Sequence, residues 1–165
     1  MREPLTAPPA PIDVAFDVAL TPMGSPRPRF SSVGGRIATH MPPDYVRHCQ
    51  HFATVAAPWR PREIVTCPVG LDILAVFPRL VRDDTRLRGG VLATPGRRWH
   101  TNVPDVDNVA KVVLDSLGAW WSDDRIVAGL RVAKVVAAPL EKPRYFVRVR
   151  DVESWMRNRS SYEPD

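Results

Sequence analysis

Hydrophobic and polar positions along the chain follow two periods, and the switches between them mark out the elements. Val14, Phe16, Val18 and Leu20 recur at every second position, which predicts a half-buried strand. Residues 21–36 predict a loop or hairpin that turns at Gly34-Gly35. From Pro43-Asp44 the spacing changes to Tyr45, Cys49, Phe52 and Val55-Ala56, a helical stripe stopped by Pro58 and Pro61. Val69 to Phe77 is almost continuously apolar and predicts a buried strand, with Asp72 a lone polar of structural kind inside it. A second helical stripe, Val109, Val112, Val113 and Leu117, starts at Asp107, and Gly118 stands where a C′ glycine belongs. Ile126 to Val136 and Tyr145 to Val149 predict two further strands.

The remaining segments are punctuated or polar. Residues 1–12 carry four prolines and predict a flexible arm. Residues 79–103 lack a period and hold six arginines against two aspartates, which predicts a mobile basic loop with short β pieces. Residues 151–165 form a polar tail in which Val152, Trp155 and Met156 can dock a helical turn. The element order predicts an α+β domain over residues 13–150, a mixed β-sheet with two main helices on one face.

Composition narrows the class. A chain of 165 residues suits one domain with tails, and 18 prolines argue against a helical bundle. No apolar run reaches the length of a membrane span and no signal-peptide core stands at the start, so a cytoplasmic protein without membrane contact is expected. Cys49 and Cys67 have no metal spacing and read as reduced thiols. The net charge of +5 suits a polyanionic partner. His48 and His51, three apart on a helix, read as solvated; His100 reads as a loop histidine.

The chemistry concentrates in Pro104-Asp105-Val106-Asp107-Asn108, followed by Lys111, Asp115 and Asp123-Asp124. Carboxylates repel one another, so a group of them at convergent spacing calls for a cation. The donors are all oxygen, with no interleaved Cys or His, which favours Mg²⁺ or Mn²⁺. Asp105 and Asp107 are two apart and share a side in an extended segment. Asp107, Lys111 and Asp115 recur every four residues on one helix face. A following strand that returned beside the helix would bring Asp124 or Asp123 to the helix start.

The run Pro-Asp-Val-Asp-Asn-Val-Ala-Lys-Val-Val-Leu-Asp-Ser-Leu, then Trp-Ser-Asp-Asp-Arg-Ile-Val, resembles the RusA family of Holliday-junction resolvases. Pro22, Arg27-Pro28-Arg29-Phe30 and Gly34-Gly35-Arg36 resemble the family's N-terminal segment, and Lys134 matches a lysine in its later strand. The resemblance covers roughly residues 13–150. It implies a homodimer that makes paired nicks in branched DNA at a four-way junction, with no nucleotide cofactor. Two departures stand out. Met23-Gly24-Ser25 replaces a segment that usually carries lysine, and Val103 replaces a basic residue.

The mechanism expected is metal-assisted phosphodiester hydrolysis. Asp105, Asp107 and Asp124 are the expected metal ligands, with Asp123 in reserve. Lys111, one turn from Asp107, is the expected catalytic cation, oriented by Asp115. Arg27, Arg29 and Arg36, too many on one short loop for simple ion pairs, are expected to contact phosphate. Arg97 and Arg98, which compensate for Val103, and Lys134 join them as DNA-binding residues. Trp120 and Trp121 read as core filling, with base stacking the alternative for one of them. Two other functions compete: a nuclease that cuts flaps or forks, and a junction-binding protein without activity.

Overall fold

The computed structural model describes residues 12–33, 36–80 and 96–158; the side chains of residues 33 and 36–38 are not part of that description. The proline-rich arm up to residue 11, the Gly34-Gly35 turn, residues 81–95 of the basic loop and the tail from 159 lie outside the described residues. Among the described residues, seven strands and three α-helices follow in the order β1 (Asp13–Val18), β2 (Arg29–Val33), β3 (Arg36–His40), α1 (Pro43–Ala56), β4 (Val69–Phe77), β5 (Arg98–Trp99), α2 (Val106–Leu117), β6 (Val127–Val136), β7 (Arg144–Asp151) and α3 (Val152–Arg157).

Five strands form one sheet in the order β1-β7-β4-β6-β5, and β2 and β3 pair separately as a hairpin. β4 runs parallel to β6 and antiparallel to β7, so the sheet is mixed, as the element order predicts. Every residue of β4 is buried, which is why its sequence shows a solid apolar run and not an alternation. The connection from β4 to its parallel neighbour carries α2, as a crossover must.

α1 and α2 cover one face. Phe52 and Ala56 of α1 and Val109, Val112, Val113 and Leu117 of α2 join Phe16, Val18, Leu71, Ile73, Tyr145 and Val147 in a single core cluster. Pro43 opens α1 at a position whose backbone N–H has no helical partner to lose. Trp120 and Trp121 are both buried, and the Trp120 ring lies 5.4 Å from that of Phe16, so both fill the core and neither offers a face to bases. Gly118 departs from the expected C′ role. Its φ of −53° is right-handed, and the chain runs on through a 3₁₀ turn, Gly118–Trp120.

The opposite face is closed at one end by α3. Gly70 and Gly129 are register partners on β4 and β6, and the Trp155 ring rests on both. A Cβ at Gly70 would stand 2.1 Å from Trp155 Cγ, so only glycine admits the ring. Asp72, read as a lone polar, is the centre of a network. It is 1% exposed, pairs with the buried Arg150, accepts from Trp155 Nε1 at 2.9 Å and from Arg131 Nη1 at 3.4 Å. Arg131 lies 4.0 Å over the Trp155 ring and donates to the carbonyls of Trp155 and Asn158. A buried carboxylate is tolerated here because two guanidinium groups and an indole N–H satisfy it.

A second ion cluster fixes the turn between β6 and β7. Glu141 accepts from Arg97, from Arg144 Nη1 at 2.8 Å and from the Ala138 N–H at 2.9 Å. The Arg97 hydrogen bond, the largest influence, helps pull the Glu141 pKa from 4.5 down to about 2. A depressed carboxylate stabilises the fold fully above pH 4.5 and loses that contribution as pH falls through about 2. Glu141→Gln is therefore expected to lower the melting temperature at pH 7 and to flatten the acid limb between those values. Melts of both proteins at pH 7, 4 and 2.5 test this, and parallel acid limbs would remove Glu141 from the pH dependence.

Candidate active site

The apolar stripe of α2 sets which side of the helix faces out. Val109, Ala110, Val112, Val113 and Leu117 are buried, so Asp107, Lys111 and Asp115 are left on the exposed side. Asp105 is the N-cap residue, yet its carboxylate makes no capping hydrogen bond. Asp107 stands in the first turn. Both are exposed, and no ion pair among the described residues engages either side chain. A carboxylate pair thus stands at the positive end of the helix, where its charge is favoured.

Three contacts hold this helix start. Lys134, on β6, donates Nζ to the carbonyl of Asn102 at 2.9 Å and to that of Pro104. The Ser25 N–H donates to the Asn108 carbonyl at 2.9 Å. Gly24 lies against Pro104 so closely that a Cβ would stand 2.4 Å from Pro104 Cβ. The same loop is tied to the sheet by the Met23 N–H, which donates to Tyr145 Oη at 2.8 Å. The first departure is therefore a structural participant, since Met23-Gly24-Ser25 forms the surface on which Pro104 sits, whereas Val103 is exposed.

The acidic residues divide into two groups. β6 runs back along α2 and returns its far end, Lys134, to the helix start, while Asp123 and Asp124 precede its near end. They stay by the C-terminal half of α2 and line an open cleft of about 500 Å³ with Asp115, Trp121 and Ser122. α2 has 12 residues, a length of about 18 Å, which separates its two ends. Among the described residues no three carboxylates, histidines or cysteines stand close enough to hold a metal. Asp123 is occupied: it accepts from the Arg125 N–H and Nε at 2.9 Å each and from Nη2 at 2.7 Å. The Arg125 hydrogen bond holds its carboxyl well below the usual carboxylate range. Asp123 is thus the cap of the turn, and Asp124 is exposed beside it.

The basic residues also divide. Arg27 and Arg29 are exposed, on the loop whose start packs against Pro104. Arg98 is exposed on the edge strand β5. The side chain of Arg36 lies outside the described residues. Arg97 pairs with Glu141, and Lys134 with two backbone carbonyls, so each has a partner within the fold. Among the histidines, His48 is half-buried, not solvated. Its Nε2 lies 3.3 Å from Tyr145 Oη, and burial lowers its pKa. His100 stacks on Phe77 at 4.1 Å.

One participant escaped the sequence reading. The Tyr45 hydroxyl donates to Asp115 Oδ2 at 2.5 Å, while Lys111 Nζ donates to Asp115 Oδ1 at 3.1 Å. Tyr45 belongs to the apolar stripe of α1, and nothing in a local pattern marks a partner 70 residues away.

The family model described as Endodeoxyribonuclease RusA matches residues 19–150. The uncharacterized protein YqaN of Bacillus subtilis (strain 168) is 32% identical over 142 residues, which cover 86% of this chain and 98% of that protein.

Lys134 holds the entry to α2 through the carbonyls of Asn102 and Pro104. Lys134→Met leaves two carbonyls without their charged donor, a loss on the order of 1–3 kcal/mol. Melting temperature is expected to fall by several degrees, with faster amide exchange at residues 100–105. The salt dependence of DNA binding is expected to stay the same, since no phosphate contact is removed. A slope reduced by about one would make Lys134 a phosphate ligand instead.

Proposed function

Because the chain belongs to the RusA family of endodeoxyribonucleases, we propose that it resolves four-way DNA junctions by paired, metal-dependent cleavage of phosphodiester bonds. The observation that carries this reading is the pair Asp105 and Asp107, exposed at the start of α2 and one turn from Lys111. Structural carboxylates elsewhere in this chain are matched to arginines, as at Asp72, Asp123 and Glu141. The pair at the helix start is matched to none among the described residues. Paired cuts require two sites, so the acting species is a homodimer.

The donors fit a hard divalent ion, Mg²⁺ or Mn²⁺, because all are carboxylate oxygens. Asp105 and Asp107 would hold it, and Asp124 joins the proposed set by its place in the motif. When bound, such an ion supplies Lewis-acid polarisation of the scissile phosphate. The chain's own residues bind and orient the substrate. Arg27, Arg29 and Arg98, with Arg36, contact the phosphate backbone, a sequence-independent and salt-dependent attraction. Lys111, held at Asp115, stabilises negative charge that grows on the phosphoryl oxygens.

Single-turnover cleavage of synthetic four-way, flap and linear DNA tests the reading. Mg²⁺ is expected to be needed for cutting but not for binding. Asp105→Asn and Asp107→Asn are expected to bind normally and lose cutting. Lys111→Met is expected to bind within a few-fold and to cut about two to four orders of magnitude more slowly. Lys111→Arg is expected to recover little, since a planar guanidinium does not replace a compact ammonium. Asp124→Asn is expected to lose cutting as well; wild-type rates there would confine the site to the helix start. Cutting of flaps alone would change the substrate class, and binding without cutting would leave a junction-binding protein.

A further inference from the structure

Three side chains from two helices are joined at Asp115. Asp115 divides its two oxygens, giving Oδ1 to Lys111 and Oδ2 to Tyr45. Tyr45, on α1, is thereby linked through Asp115 to the lysine on α2.

The Lys111–Asp115 pair needs a reason other than helix stability. A lysine four residues before an aspartate is the less favourable order along a helix. The pair is also partly exposed, so by itself it contributes little to stability. Tyr45 is different in kind. Its ring is 3% exposed and packed in the core, so its hydroxyl has a fixed position. Burial, and then the Asp115 carboxylate, hold its pKa well above the ordinary tyrosine value, which keeps the hydroxyl a proton donor at neutral pH. A rigid donor on Oδ2 fixes the Asp115 rotamer, and with it the place of Oδ1. A flexible lysine tethered to a fixed oxygen loses less entropy on meeting its target.

We infer that Tyr45 is a positioning residue: through Asp115 it sets where Lys111 stands. The inference deepens the nuclease reading and rests on it for the role of Lys111.

The test uses the full chain, which contains only three lysines, Lys111, Lys134 and Lys142. Lysine labelled with ¹³C at Cε gives three signals, and Lys111→Met identifies one. Tyr45→Phe removes a single oxygen from a ring that keeps its packing. It is expected to shift the Lys111 signal and leave the other two in place. In single-turnover cleavage of a four-way junction it is expected to cut about tenfold more slowly, with junction affinity within twofold. In a Lys111→Met background, Tyr45→Phe is expected to cost nothing further. An unmoved Lys111 signal, or an equal cost in both backgrounds, overturns the inference. A wild type that cuts no branched DNA overturns the nuclease reading instead, and the Lys111 signal then decides whether Tyr45 positions the lysine.

Discussion

The burial of the α2 stripe is the constraint on which the rest of the site depends. Val109, Val112, Val113 and Leu117 are fully buried, and each such side chain contributes about 1.5–3 kcal/mol when removed from water. That energy fixes the rotation of the helix. A turn of one residue about its axis would carry Lys111 or Asp115 toward the core, and an unmatched buried charge costs several kcal/mol. Apolar packing therefore decides where the carboxylates and the lysine point. The polar groups do not hold the helix; the helix holds them.

What the stripe leaves undefined is the path of the chain into the helix, and backbone contacts supply it. Asp105 occupies the cap position without capping, so its side chain does not order the first turn. That work passes to Lys134 and Ser25, which bind the carbonyls of Asn102, Pro104 and Asn108. The division is chemically sensible. A carboxylate tied up in a cap is a poor ligand, because its lone pairs are already engaged. Handing the structural task to a neighbouring strand and loop leaves the acids exposed.

The strands and both main helices were legible because burial against one sheet leaves a period in the sequence. β4 and α1 match their expected bounds, since a solid apolar run and a proline-bounded stripe each have one simple explanation. The motif itself was legible as chemistry. Its geometry was not, because pairing partners are set by topology and leave no local mark. Lys134 read as a surface cation until the parallel pairing of β6 with β4 set its far end at the helix start. Asp124 was expected as a ligand with Asp123 in reserve, and nothing local showed that Arg125 would engage Asp123. Arg97 met Glu141 across 44 residues, and Asp72 met Arg150 across 78. Gly118 failed differently: glycine at a helix end favours a left-handed turn but does not compel one, and the buried Trp120 draws the chain onward in a right-handed turn.

The charge distribution follows the same logic. A net charge of +5 suggests an evenly basic coat, yet the ion pairs give a different picture. Arg97, Arg125, Arg131, Arg144, Arg148 and Arg150 are each matched to a carboxylate. These pairs neutralise much of the sheet's second face and its edges. Arg27 and Arg29 stand instead on the loop whose start packs against Pro104, the residue before Asp105. For the proposed reaction this placement answers a specific difficulty. An acidic site repels a phosphate backbone, and screening limits the reach of distant cations to about 8 Å at physiological salt. Only cations beside the carboxylates can offset that repulsion where it acts, so the loop's seat on Pro104 matters as much as its charge.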